Sequence, residues 1–477
     1  MSSIPDTAAA RPTPTSASYS ITVRLHADPQ PAVVGVIATT VGAAGGIVTA
    51  IDVSESRYDR LTIDVTCSAA DGEHAQEIVA ALGAIDGVVV YRVSDRTFLL
   101  HLGGKISVES KVPLKTRDDL SMAYTPGVGR VALAIAANPE DVTRLTVKGN
   151  AVAVVTDGSA VLGLGNIGPG AALPVMEGKA ALFKRFAGID AWPICLDTQD
   201  PDEIVRIVRG ISPGFGGINL EDISAPRCFE IERRLRAELD IPVFHDDQHG
   251  TAIVVLAALT NALRCVGKHL PTARIVVSGG GAAGTAIVHL LLAAGVRHVL
   301  VYDREGILSA DDDRLDEAKR ALARRTNPDG VTGDLRDALV GADVFIGVSA
   351  PRIMDAAWIT EMAPRAVVFA LANPDPEVDV DAAQQLATIV ATGRSDYPNQ
   401  INNVLAFPGV FRGLLDARAT HVTTEMLISA AAALAGCVSD EQLNAYYIVP
   451  SVFDEAVARV VAAAVRAAAE VHPVAGA

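Results

Sequence analysis

Two acidic pairs, Glu221-Asp222 and Asp246-Asp247, interrupt otherwise apolar stretches, INLEDISAP and IPVFHDDQHG. Carboxylates so placed suit a hard divalent cation, which takes oxygen ligands and keeps positions open for substrate and water. A pair of solvated acidic turns is the alternative. His245 and His249 flank Asp247 and invite a zinc reading, but no HExxH is present and oxygen donors dominate. Mg²⁺ or Mn²⁺ is therefore expected, with the histidines as local hydrogen-bonding groups. Lys179, in MEGKAALFKRF, lies among small and apolar residues. Desolvation there is expected to lower its pKa, as a general base at neutral pH requires.

Two glycine triplets share the spacing of a dinucleotide-binding turn: Gly163, Gly165 and Gly168, then Gly279, Gly281 and Gly284. Such a turn needs a strand before it, a helix N-terminus under the pyrophosphate and an acid closing the next strand. The second triplet meets all three conditions, since RIVVS precedes it, GTAIVHLLLAAG follows, and RHVLVYD ends on Asp303. Asp303 is placed to accept hydrogen bonds from a ribose diol. The first triplet is preceded by Asp157-Gly158 between apolar runs, which predicts a hairpin turn. The next acid that closes a strand-like run is Asp197, too far on. This triplet reads as a glycine-lined wall where backbone approaches substrate.

The elements around these residues follow from periodicity. Residues 1–18, rich in Ser, Thr, Ala and Pro, read as a mobile tail without a signal-peptide core. Residues 19–101 read as βαββαβ, a ferredoxin-like α+β unit. Residues 102–250 carry most of the chemistry and read as an α/β substrate domain. Residues 251–424 alternate strands and helices as a Rossmann-type, doubly wound parallel sheet. Residues 425–477 read as C-terminal helices, one of them starting at SDEQLNAY.

AYTPGV, the stretch from VLGLGNIGPG to FAGIDA, GGINLEDISAP with IPVFHDDQHGTA, and LANPDPE with INNVLAFPGVFRG together resemble the malic enzymes of the short bacterial type. The resemblance runs from about Gly103 to the C-terminus. It implies metal-dependent oxidative decarboxylation of L-malate to pyruvate and CO₂ with reduction of NAD⁺ or NADP⁺. It implies Glu221, Asp222 and Asp247 as metal ligands, Lys179 as general base with Asp246 beside it, and Tyr124 as general acid. Cofactor contacts fall on Gly279, Gly280, Gly281, Ala282, Ala283, Gly284, Asp303 and Asn373. Substrate contacts fall on Gly165, Asn373, Asn402 and Asn403. The arginine that long eukaryotic members carry near the glycine wall has no counterpart here, and Lys184 and Arg185 fit a solvated helix face equally well. The N-terminal unit weakly resembles an ACT domain, which implies a small-metabolite effector; a ferredoxin-like dimerisation module is the alternative. A homodimer or higher homo-oligomer is implied as well.

A formal charge of −16 argues against nucleic-acid and anionic-membrane partners, though not against an anionic substrate. The five cysteines form no CxxC pair, as expected of reduced thiols in a cytoplasmic protein. Asp303 would repel a 2′-phosphate while Arg304 could accept one, and NAD is favoured. Two other readings are open: a metal-independent 2-hydroxy or amino-acid dehydrogenase, and a nucleotide-sensing regulator without turnover. The first leaves the acidic pairs idle, and the second leaves Tyr124 and Lys179 idle.

Overall fold

The computed structural model describes residues 15–315 and 317–471. They divide into two compact units between Lys105 and Ile106. In the first unit, β1 (Ser16–Ala27), α1 (Val33–Ala43), β2 (Ile47–Ser56), β3 (Leu61–Ala69), α2 (Gly72–Gly83) and β4 (Val88–Asp95) follow in turn, and α3 (Arg96–His101) closes it. The strands pair antiparallel in the order β2-β3-β1-β4, the ferredoxin-like arrangement that alternation predicts. Period two decides the faces. Val23, Leu25, Ile63 and Val65 are buried with Ile37 and Leu82 of the helices. Thr22 and Arg24 face the other side, where Arg24 pairs with Asp64 at 2.7 Å. β1 starts at Ser16, so residues 16–18 of the expected tail belong to the sheet, and residues 1–14 lie outside the described residues.

The second unit opens with α4 (Arg117–Ala123), α5 (Val128–Ala137) and α6 (Asp141–Leu145), none of which has a buried residue. Then come β5 (Ala151–Thr156), α7 (Pro169–Ala187), β6 (Asp190–Cys195), α8 (Pro201–Ile211), β7 (Gly217–Leu220), α9 (Arg227–Glu238) and β8 (Val243–His245). These strands form a parallel sheet ordered β6-β5-β7-β8. The hairpin expected at Asp157-Gly158 does not form. Both edges of β5 are taken by β6 and β7, so no returning strand can pair with it. Residues 157–168 form a loop instead, in which Ile167 and Gly168 donate backbone hydrogen bonds to Gly158 O. The first triplet thus does stand between a strand and a helix, a context the sequence reading denied it.

α10 (Asp246–Val266) runs straight through the expected boundary at 250/251 and joins the two sheets. It is long and apolar enough to cross a membrane, yet it is mostly buried in the core of this unit. The stretch Arg117–Ala137 has similar length and composition but is divided between α4 and α5. Next come β9 (Arg274–Ser278), α11 (Ala282–Ala293), β10 (His298–Asp303), β11 (Gly306–Ile307), α12 (Glu317–Thr326), α13 (Leu335–Leu339), β12 (Val344–Gly347), β13 (Val367–Ala370), α14 (Val380–Leu386) and β14 (Ile389–Thr392). The sheet order is β11-β10-β9-β12-β13-β14, with every strand parallel except β11. That is the predicted doubly wound sheet. α15 (Phe407–Ala417), α16 (Thr424–Ala435) and α17 (Glu455–Val471) complete the unit. The helix expected at SDEQLNAY is absent. Asn399 bonds the carbonyl of Ala445 within this stretch and Asn261 that of Ile448 just downstream, so side chains satisfy backbone that a helix would otherwise pair.

The second triplet shows why glycine is required. A Cβ on Gly284 would stand 1.8 Å from Gly279 O, and Gly279 has φ +116°. Gly284→Ala should therefore pry α11 from β9 and lower unfolding free energy by about 1–3 kcal/mol, read from urea midpoints. An unchanged midpoint would contradict this packing.

Candidate active site

Lys179 lies on the buried stripe of α7 with Ala172, Met176, Ala180 and Phe183, and only 7% of it is exposed. Its ammonium donates to Asp246 Oδ2 at 2.5 Å and meets Glu221 Oε1 at 2.9 Å, 4.1 Å above the Phe407 ring. Asp246 opens α10 and also accepts from Asn403 Nδ2 at 2.6 Å. Its second oxygen presses on Gly250, where a Cβ would come within 1.8 Å. Glu221 follows β7 and accepts from Asn219 Nδ2 at 2.8 Å. Asp222 takes a left-handed φ of +54°, which turns its backbone N–H onto Asp247 Oδ2 at 2.7 Å. Asp247 Oδ2 also meets His245 Nε2 at 3.1 Å.

One oxygen each of Glu221, Asp222 and Asp247 lies within 4.8 Å of the others, and Asp222 Oδ2 is buried without a partner. A buried unpaired carboxylate oxygen is costly unless a cation meets it. The electrostatics point the same way. Burial, with Asp247, Asp246 and Asp222 nearby, pushes Glu221 well above the usual carboxylate range. Burial and Asp247 push Asp222 up to about 7, and burial also raises Asp246 against the pull of Lys179. Asp247 stays below its ordinary value because the His245 hydrogen bond and charge outweigh burial. Four carboxylates around one ammonium and one imidazole fit a hard divalent cation held by Glu221, Asp222 and Asp247.

Lys179 behaves differently from the sequence expectation. Burial does act to lower its pKa, but the charges and hydrogen bonds of Asp246 and Glu221 overcome burial and hold it raised. Periodicity could show the apolar setting but not the two carboxylates that fold onto it.

The structure thus gathers Lys179, Glu221, Asp222, Asp246, Asp247 and Asn403 into one cluster. Gly165 has φ +79° and open space where its Cβ would point. Gly163 packs against the loop after β13, where its Cβ would lie 2.4 Å from Asn373 O. The Asn402 side-chain oxygen caps the following turn, accepting from Val404 N at 3.0 Å. The Tyr124 hydroxyl makes no hydrogen bond among the described residues, and the residue stands 68% exposed at the end of α4. Lys184 and Arg185 pair on the surface with Asp190 and Glu455. Sequence reasoning missed Asn219 and Glu232. Asn219 is a polar residue inside the apolar run GINL, which was a readable signal. Glu232 receives Gln248 and His249 from α10, and only the fold brings them together.

In the dinucleotide half, Gly281 caps α11, with Ala282 and Ala283 in its first turn. Asp303 closes β10 beside Gly280, as predicted. Its carboxylate also holds Lys319 at 2.5 Å, which the sequence did not suggest.

The raised Asp222 gives a pH prediction. Its folded pKa of about 7 exceeds the ordinary 3.8, so the folded chain binds the extra proton between those values. With chelator present, stability should fall as pH rises from about 4 to about 7. Mn²⁺ must displace that proton, so its apparent affinity should rise about tenfold per pH unit and level off above about pH 7. A pH-independent affinity, measured by titration calorimetry, would contradict this.

The chain matches the family models described as malic enzyme, N-terminal domain, over residues 103–236, and malic enzyme, NAD binding domain, over residues 248–470. It is 55% identical over 456 residues to the NAD-dependent malic enzyme of Geobacillus stearothermophilus, covering 96% of this chain and 95% of that one. An alignment that long takes in the N-terminal unit, which the family models leave uncovered. The bifunctional malic/malolactic enzyme of Bacillus subtilis is 53% identical over 383 residues, covering 79% of this chain and 93% of that one. The crystal structure of the NAD-dependent malic enzyme of Thermotoga maritima matches with a TM-score of 0.75 at 51% identity, over 78% of this chain and 99% of that one. On both halves of the catalytic unit, the chain belongs to the malic enzyme family.

Proposed function

We propose that this chain catalyses the oxidative decarboxylation of L-malate to pyruvate and CO₂ with reduction of NAD⁺. The observation that carries the reading is the single buried ammonium of Lys179, shared between Asp246 and the candidate metal ligand Glu221. Bound at their sites, Mg²⁺ or Mn²⁺ supplies Lewis acidity beside the substrate oxygens and the dinucleotide accepts hydride. The chain's own groups handle the protons. Lys179 takes the proton of the malate C2 hydroxyl. It can stand as the neutral amine that accepts this proton once Glu221 is engaged in metal binding and no longer raises the lysine pKa to the same degree. Asp246 and Asn403 keep the ammonium aimed. After CO₂ leaves, Tyr124 delivers a proton to C3.

NAD is favoured over NADP because Asp303 faces the turn that holds the ribose, and the Geobacillus relative is named for NAD dependence. The βαββαβ order of the first unit supports an ACT-like module with a small-metabolite effector, and the free cysteines suit a cytoplasmic location. We also read the protein as a homo-oligomer. Residues 106–150 contain no buried residue, and Leu114, Leu120, Met122 and Leu133 are all exposed there along with Tyr124. An apolar stretch of that kind is normally covered by a partner.

Lys179→Ala should lower kcat by about 10²–10⁴-fold with Mn²⁺, malate and NAD⁺, as expected for loss of a general base. Full activity in that variant, or activity indifferent to EDTA, would defeat the mechanism. A larger kcat/KM for NADP⁺ than for NAD⁺ would defeat the cofactor assignment. Leu120→Asp with Met122→Asp should shift the sedimentation coefficient toward that of a monomer, whereas a parent protein already monomeric would refute the oligomer.

A further inference from the structure

Beside the first turn of α10 opens a cleft of about 640 Å³, lined by α9, α10, α11, α12 and α16, with His289 and Arg325 exposed at its mouth. Its polar lining includes Arg236, His249, His289 and Arg325, and no carboxylate lines it. That is unusual in a chain with 56 acidic residues against 40 lysines and arginines. The Arg325 guanidinium, near the end of α12, forms no hydrogen bond or ion pair among the described residues. Burial, Arg325 and His249 all push His289 below its ordinary value, while Glu232 behind the wall pairs with His249 at 2.7 Å and Arg236 at 3.7 Å and leaves Arg325 and His289 as the cationic groups it does not meet. Thr423 and Thr424, at the N-terminal end of α16, also face the cavity, so the positive end of that helix dipole points into it. Gln248, Thr285 and Phe229 join alanine, leucine and valine in the rest of the wall, and the volume falls in the range of small-molecule sites.

The cavity wall is wired to the candidate metal ligands. His249 Nε2 meets Glu232 Oε1 at 2.7 Å, and Gln248 Nε2 donates to Glu232 Oε2 at 3.1 Å. Gln248 Nε2 also meets His245 Nδ1 at 2.6 Å, and His245 Nε2 reaches Asp247 Oδ2 at 3.1 Å. Every residue of this relay is fixed by two neighbouring helices and the end of β8. Arg236 also lies 3.7 Å from Glu232 Oε1, so an anion that draws His249 or Arg236 toward itself pulls on Glu232, and through it on the group that orients Asp247.

We propose that this cavity is an effector site for a small anionic metabolite, one or two carboxylates or a phosphate monoester on a short apolar body, which acts on malate turnover through the relay from His249 to Asp247. The binding claim stands independently of the substrate assignment; only the coupling claim rests on it.

The full chain loaded with Mn²⁺ is titrated calorimetrically with succinate, glycerol 3-phosphate and inorganic phosphate, with and without saturating malate. At least one probe should bind when malate is saturating and should slow hydrogen exchange in residues 285–293 and 422–427. Arg325→Glu should weaken that binding at least about tenfold, as loss of a charge-assisted pair implies, while Arg325→Lys keeps most of it. His289→Glu should act like Arg325→Glu. Succinate and glycerol 3-phosphate separate a carboxylate ligand from a phosphate one, and inorganic phosphate shows whether the apolar body contributes. The site is refuted if no probe binds at millimolar concentration, if malate displaces all binding, or if Arg325→Glu and His289→Glu both bind as the parent does. Binding that leaves kcat/KM for malate unchanged refutes its role as an effector site.

Discussion

The catalytic unit is organised around one buried ammonium. Lys179 would be expensive to bury alone, and so would Asp246 or Glu221. Each is tolerable because the other two are there. That mutual dependence fixes where three elements must end: α7 has to present its buried stripe, β7 has to stop at Glu221, and α10 has to start at Asp246. The turn carrying Asn403 closes the arrangement from the C-terminal side of the dinucleotide sheet. A charge cluster thereby ties the two sheets together. The excess of negative charge left over suits a divalent cation.

Close backbone approach is the second constraint, and glycine meets it in three places. Gly250 leaves room for the Asp246 carboxylate, Gly163 for the carbonyl of Asn373, and Gly284 for the carbonyl of Gly279. The first positions a charge, the second lets the substrate-side loop touch the dinucleotide-side loop, and the third builds the nucleotide turn. Two triplets of identical spacing therefore serve different ends. What separates them is the acid that closes the following strand and the contacts that the turn makes across the domain.

Much of this was legible from residue order. The N-terminal βαββαβ unit follows from alternation, and the parallel sheet from β-branched runs separated by amphipathic helices. The acidic pairs stood out because they broke apolar segments. The hairpin at Asp157-Gly158 was misread because a turn dipeptide says nothing about whether its strand has a free edge. The helix at SDEQLNAY was misread because Asn261 and Asn399, distant in sequence, supply hydrogen bonds that a local pattern cannot reveal. The Lys179 pKa was misjudged in direction for a similar reason, since composition shows burial but not which charges fold against it.

The central claim is that Lys179, Asp246 and Glu221 stabilise one another as a unit. A double-mutant cycle on Lys179→Met and Asp246→Leu, followed by urea unfolding in chelator, tests it directly. Each single replacement strands a buried charge and should cost about 3–5 kcal/mol. The double replacement should cost clearly less than their sum, with a coupling of about 2 kcal/mol or more. Additivity within about 0.5 kcal/mol would mean that the ammonium and carboxylate do not depend on each other, and the account would fail.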